Sequence, residues 1–101
     1  MVRIVWTKIA VTQLEKSVKY IKETQGTYYA NIVLEGVLNH IEVLMEFPKA
    51  GRVEPLLEHK KFEYRYLVKW SYKVIYRISK DKSTVYILRV FHTSQDPSKI
   101  F

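Results

Sequence analysis

The sequence predicts an α+β domain in which a helical hairpin packs on one face of a mainly antiparallel sheet, in the order β-α-α-β-β-β. Three observations carry this. Residues 62–95 form three runs rich in β-branched and aromatic residues, FEYRYLVKW, SYKVIYRIS and TVYILRVFHTSQ, with short polar breaks such as KDKS between them, which is the pattern of a meander. Residues 8–46 carry apolar residues at three- and four-residue spacing, interrupted by Gly26. A chain of 101 residues with 48% hydrophobic content can bury one core and is too short for two, so residues 1–101 read as a single domain.

The elements follow in order. Val2, Ile4 and Trp6 alternate with Arg3 and Val5, which suits a short strand. Thr7 has the chemistry of a helix N-cap, with Trp6 and Val11 at the positions of a hydrophobic staple. Val11, Leu14, Val18 and Ile21 form the apolar stripe of a helix from Lys8 that ends at Gly26, where a left-handed C-cap is expected. Thr27 is the expected cap of a second helix, whose ladder is Ala30, Leu34, Val37, Ile41 and Leu44, ending before Pro48. Gly36 costs about 1 kcal/mol against Ala in a helix interior, so close approach of the first helix is the expected reason for it. Residues 48–61, PKAGRVEPLLEHKK, read as one long irregular stretch, of a length often functional. Gln95, Asp96 and Pro97 read as a turn.

Successive strand side chains point to opposite faces. Arg65 and Lys69, then Lys73 and Arg77, then Arg89 share a parity within their runs, so all five are expected on the face away from the helices. Phe62, Tyr64, Tyr66, Val68 and Trp70, with Val74, Tyr76 and Ile78, are then expected beneath the helices. Leu67, Ile75, Ile87 and Phe91 share the parity of the cations and would leave apolar surface on the charged face, a mark of a protein interface.

Seventeen Lys and Arg against ten Asp and Glu give a net charge of +7. That favours an anionic partner, whether nucleic acid, an acidic protein segment or a membrane surface. There is no cysteine, and His40, His59 and His92 lack metal-ligand spacing, so neither a metal nor any other cofactor is expected. No apolar run approaches the roughly 20 residues of a membrane span, and no signal peptide is recognisable, so the expected location is cytoplasmic with no membrane partner.

Motifs for a nucleophile elbow, phosphate loop or paired carboxylates are absent. Lys73, Arg77, Arg89, His92 and nearby tyrosines could supply the base, charge stabilisation and acid for metal-free cleavage of an RNA phosphodiester. They could equally form a solvated or docking face. His92, at the end of the last run, suits proton transfer or a bond to the turn at residues 95–97.

Three segments carry a resemblance. FPKAGR after the second helix, YRYLVKWSYKVIYRI across the hairpin and VYILRVFHTSQDP at the end are similar to the RelE/ParE superfamily of toxins from bacterial type II toxin-antitoxin modules, over essentially the whole chain. The resemblance implies growth arrest and a cognate antitoxin that wraps and silences the toxin. It also implies one of two targets. RelE-like members are endoribonucleases that cut mRNA on the ribosome with basic residues of the sheet and a C-terminal Arg, Tyr or His. ParE-like members poison DNA gyrase by a mechanism those residues do not explain. Lys73 stands where ribonuclease members often carry a catalytic Arg, and His92 lies near their C-terminal functional position, so these two are the catalytic candidates. Arg65, Lys69, Arg77, Arg89 and Phe91 are the candidates for binding antitoxin or target. FPKAGR and HTSQDP resemble the ParE-like branch more closely, although its ending commonly reads His-Thr-Arg-Gln-Asp-Pro and Ser94 here replaces the Arg. A small basic interaction module without toxicity is the remaining alternative.

Overall fold

Thr7 ends the first strand and opens the first helix. Its hydroxyl accepts a hydrogen bond from the Ala10 amide at 3.3 Å, satisfying a donor of the first turn. The same hydroxyl donates to the Ile87 carbonyl at 2.8 Å and ties the helix start to the last strand. In the structure, a computed structural model that describes residues 1–95, β1 (Arg3–Trp6) thus leads directly into α1 (Lys8–Gln25). α2 (Thr27–Glu42) follows and runs on into a 3-10 turn at Val43–Met45. The turn expected at residues 95–97 lies largely outside the described residues.

Gly26 joins the helices with φ +96° and ψ 160°, an extended mirror-image conformation open to glycine, in place of the expected left-handed helical one. Its amide closes α1 on the Lys22 carbonyl, and its own carbonyl accepts from the Ala30 amide. Gly26, not Thr27, is therefore the N-cap of α2.

The sheet has five strands in the order β1-β5-β4-β3-β2, with β2 (Arg52–Val53), β3 (Glu63–Lys69), β4 (Tyr72–Ile78) and β5 (Thr84–His92). β1 runs parallel to β5, and the other pairs are antiparallel. β2 and a 3-10 turn at Pro55–Leu57 lie within the stretch expected to be irregular. α1 packs over β5 and α2 over β3. The core between the layers holds Ile21, Val37 and Ile41 from the helices against Leu67, Val74, Tyr76, Ile87 and Val90 from the sheet. Beyond the end of β1, Gln13 of α1 accepts from the Val90 amide at 2.7 Å, supplying a partner to a strand amide that β1 does not reach. Among the described residues no helix is long and apolar enough to cross a membrane.

Residues paired across neighbouring strands share a face. Leu67 pairs with Val74 and Val74 with Val90, all in the core, so β3 turns Glu63, Arg65, Leu67 and Lys69 toward the helices and Tyr64, Tyr66 and Val68 away. This reverses the expectation for β3. Burying Tyr64 and Tyr66 would have required partners for two hydroxyls, whereas Arg65 finds Glu63 and the Gly51 carbonyl at the sheet margin. β4 follows the expectation, with Val74, Tyr76 and Ile78 inside and Lys73 and Arg77 outside.

On β5 the register shifts: Ile75 pairs with Arg89 but Tyr76 with Ile87, so Leu88 is an extra, bulged residue. The bulge reverses the parity along the strand. Ile87 therefore joins the core with Leu67, while Arg89 and Phe91 stay outside. Three of the five cations, Lys73, Arg77 and Arg89, occupy the outer face, and Arg65 and Lys69 do not.

Candidate functional site

The outer face is built on aromatic rings that hold its cations. Arg77 lies between two of them, its guanidinium carbon 4.3 Å from the Phe62 ring centre and 4.2 Å from that of Tyr86. Lys73 extends over Tyr66, its ammonium 4.3 Å from the ring centre, and reaches Glu54 at 2.9 Å. Each such ring contact is worth about 0.5–2 kcal/mol and fixes a side chain that would otherwise sample many rotamers. Arg89 donates to the Leu88 carbonyl at 2.7 Å, a bond the bulge brings within reach. Ile75 and Phe91 lie between these residues, but Phe91 is only 2% exposed and Ile75 fully covered. The expected apolar surface at these two residues is therefore not exposed.

Glu54 is the residue that sequence reasoning missed. It is 1% exposed, its Oε1 accepts from the Leu56 amide, and its amide donates to the Tyr64 carbonyl. Its Oε2 faces the Lys73 ammonium at 2.9 Å, which supplies the compensating charge for the buried carboxylate. A carboxylate directly before Pro55 is a recognisable capping signal for the short turn that follows. Nothing local to it indicates the ion pair with a residue on β4.

The FPKAGR segment is fixed by Tyr76. The tyrosine hydroxyl donates to the Pro48 carbonyl at 2.7 Å and accepts from the Gly51 amide at 3.0 Å, and burial pushes its pKa above the ordinary value. A Cβ on Gly51 would stand 2.5 Å from the Tyr66 carbonyl, so the loop closes against β3 only with glycine there. Arg65 donates to the Gly51 carbonyl at 2.7 Å and to Glu63 at 2.6 Å, and its bond to Glu63 holds that carboxyl below its ordinary pKa.

His92 lies at the end of β5 on the helix-facing side, opposite Tyr72, whose ring it meets edge-on at 5.4 Å. Its Nδ1 accepts from the Ser94 amide at 3.0 Å and lies 2.7 Å from the Ser94 hydroxyl. A backbone amide can only donate, so the neutral ring carries its proton on Nε2. The ring faces a depression lined by Lys16, Ser17, Tyr20 and Gln95. Ser94, which stands where the resembling family commonly has Arg, is thus the partner that orients His92. Lys73 and His92 lie on opposite sides of the sheet, and the fold does not bring the two catalytic candidates together. Lys69 is on the helix side as well, its ammonium 4.6 Å from the Trp70 ring centre. Gly36 faces that same indole: a Cβ there would overlap the Trp70 ring, so the close approach that requires glycine is to the β3–β4 turn and not to α1.

Several solved structures share this fold. The chain superposes on one from a chromosomal ParDE toxin-antitoxin system of P. aeruginosa with a TM-score of 0.72 at 18% identity, covering 91% of this chain and 96% of that one. For the RelBE2 toxin-antitoxin complex of Mycobacterium tuberculosis the TM-score is 0.60 at 22% identity, with 94% and 97% covered. For the isolated E. coli RelE toxin it is 0.61 at 13% identity, with 98% and 92% covered. No curated protein matches the chain in sequence. The sequence pattern of the ParE toxin of the type II toxin-antitoxin system parDE matches residues 4–97, a span that, Arg3 aside, takes in every strand and helix described above, and the chain belongs to this family within the RelE/ParE superfamily.

Proposed function

We propose that the chain is the growth-arresting toxin of a type II toxin-antitoxin module, that it acts in the cytoplasm on DNA gyrase, and that a cognate antitoxin silences it. The observation that carries the choice of target is the placement of the two catalytic candidates. Metal-free cleavage of RNA needs a base and an acid on the two sides of one phosphodiester. Lys73 is engaged by buried Glu54 on the outer face, and His92 turns toward α1 on the inner face. That arrangement supports a toxin that works by binding, as a gyrase poison does.

The outer sheet face is the proposed antitoxin site. Its charge is positive at Arg77 and Arg89, Lys73 being matched by Glu54, and its rings hold Arg77 and Lys73 in place, which suits an acidic segment that orders on contact. Expression in bacterial cells tests the target. The expected outcome is growth arrest with trapped double-strand DNA breaks and a DNA-damage response, reversed by co-expression of the antitoxin. Arrest with mRNA cut in ribosome-bound reading frames and no breaks would assign the chain to ribosome-dependent endoribonucleases. No arrest at all would leave a basic interaction module.

A further inference from the structure

We infer that the solvent-facing surface of α2, together with Trp70, docks a basic protein surface, and that this contact is the one through which the toxin engages its target. The inference rests on the reading above that the target is a protein.

Trp70 begins the two-residue turn between β3 and β4 with φ +52°, in the region that hairpin turns reserve mainly for glycine. The strain is not offset by burial, because the side chain is 54% exposed. Gly36 gives the indole a place to rest, and Lys69 lies over its ring. Around it, Ile32 (40% exposed) and Val43 (43%) share one depression with Glu35, Asn39, His40 and Lys69. A large ring held in a costly conformation, supported from below and open above, has the form of an interface anchor, and Trp is the residue type most enriched among such anchors.

Charge selects the partner. Residues 27–48 contain Glu35, Glu42 and Glu46 and no Lys or Arg, and the basic side chain that reaches the depression, Lys69, is spread over the Trp70 ring beside Glu35, so acidic groups outnumber basic ones on this face. Glu35 and Glu42 are seven residues apart, two turns along one side of α2, and both are exposed. The same acidic partner or nucleic acid that the outer sheet face attracts is repelled here. What fits is a protein that presents Lys or Arg around an apolar contact. The two faces thereby sort two partners by sign of charge.

Two variants test this in cells under titratable expression. Trp70→Gly removes the ring and supplies the residue that the positive φ favours, so the turn is kept. Glu35→Lys with Glu42→Lys reverses the charge at exposed positions. Each is expected to raise the expression level needed for growth arrest on the order of tenfold or more, with the unfolding temperature not lowered. Arrest at unchanged expression levels in both variants overturns the inference. So does arrest that persists while a dimer of the wild-type chain is lost in sedimentation, which would assign the face to a second copy. The target reading is scored separately: wild-type arrest without DNA breaks removes gyrase but leaves the variants to decide the face, and a wild-type chain that causes no arrest overturns both.

Discussion

At the scale of single residues, the outer face depends on contacts between positions far apart in sequence. Glu54 and Lys73 are the sharpest case. Removing one partner of a buried ion pair costs about 3–5 kcal/mol, and the partial exposure of Lys73 places Lys73→Ala at the lower end of that range. Replacing both with apolar residues, Glu54→Leu with Lys73→Met, removes the orphaned charge and should recover most of the loss. Chemical denaturation of the two single variants and the double variant measures this. A double variant as unstable as the worse single one would show that the pair does more than neutralise itself. Tyr76→Phe is the second case: it leaves the Pro48 carbonyl and the Gly51 amide without their partner, at about 1–3 kcal/mol, again by denaturation. FPKAGR was legible in the sequence as a motif. Its reason was not, because the hydroxyl that holds it arrives 25 residues after Gly51.

At the scale of elements, the helices and the meander could be read because their periodicity is written in side chains. Apolar spacing marked α1 and the start of α2 to within a residue, and Thr7 announced the cap of α1, whereas α2 ends at Glu42 and only a 3-10 turn at Val43–Met45 continues toward Pro48. The faces of the sheet were less legible. On β3, tyrosines alternate with cations, and hydrophobicity alone favours burying the rings; hydrogen-bonding needs decide the reverse. On β5, the bulge at Leu88 has no Gly or Pro to mark it, yet it moves Ile87 into the core and keeps Arg89 and Phe91 outside. The β4–β5 turn offers a pH test. Asp81 accepts from the Ser79 and Ser83 hydroxyls and from the Ser83 amide, which hold its carboxyl well below the ordinary value, at about 2. A depressed carboxylate stabilises the fold fully above its unfolded-state value of ~3.9, and that contribution is lost as pH falls toward about 2. The carboxyl carbon shift of Asp81, followed by NMR, should titrate near the lower value; a midpoint close to that of free aspartate would mean the turn is not closed as described.

At the scale of the whole molecule, the net charge of +7 favours an anionic partner but conceals how the charge is arranged. The +7 is an average over a basic sheet face and a helix without Lys or Arg. That division follows from packing: the cations of β4 and β5 are turned outward by register, and α2 covers the other side. If the outer face receives an acidic antitoxin segment, Arg77→Ala with Arg89→Ala should slow association and weaken its salt dependence, since steering by charge acts on the encounter. Stopped-flow mixing at two ionic strengths reads both effects, and an unchanged association rate would move the antitoxin site elsewhere. The claim on which the functional account turns is that this fold poisons gyrase by binding. Purified toxin mixed with DNA gyrase, ATP and supercoiled plasmid tests it most directly. The account predicts linear plasmid trapped on the enzyme after denaturation, in proportion to toxin and abolished by antitoxin. Plasmid that stays supercoiled or relaxed without breaks, while the same preparation cuts mRNA on programmed ribosomes, would contradict it.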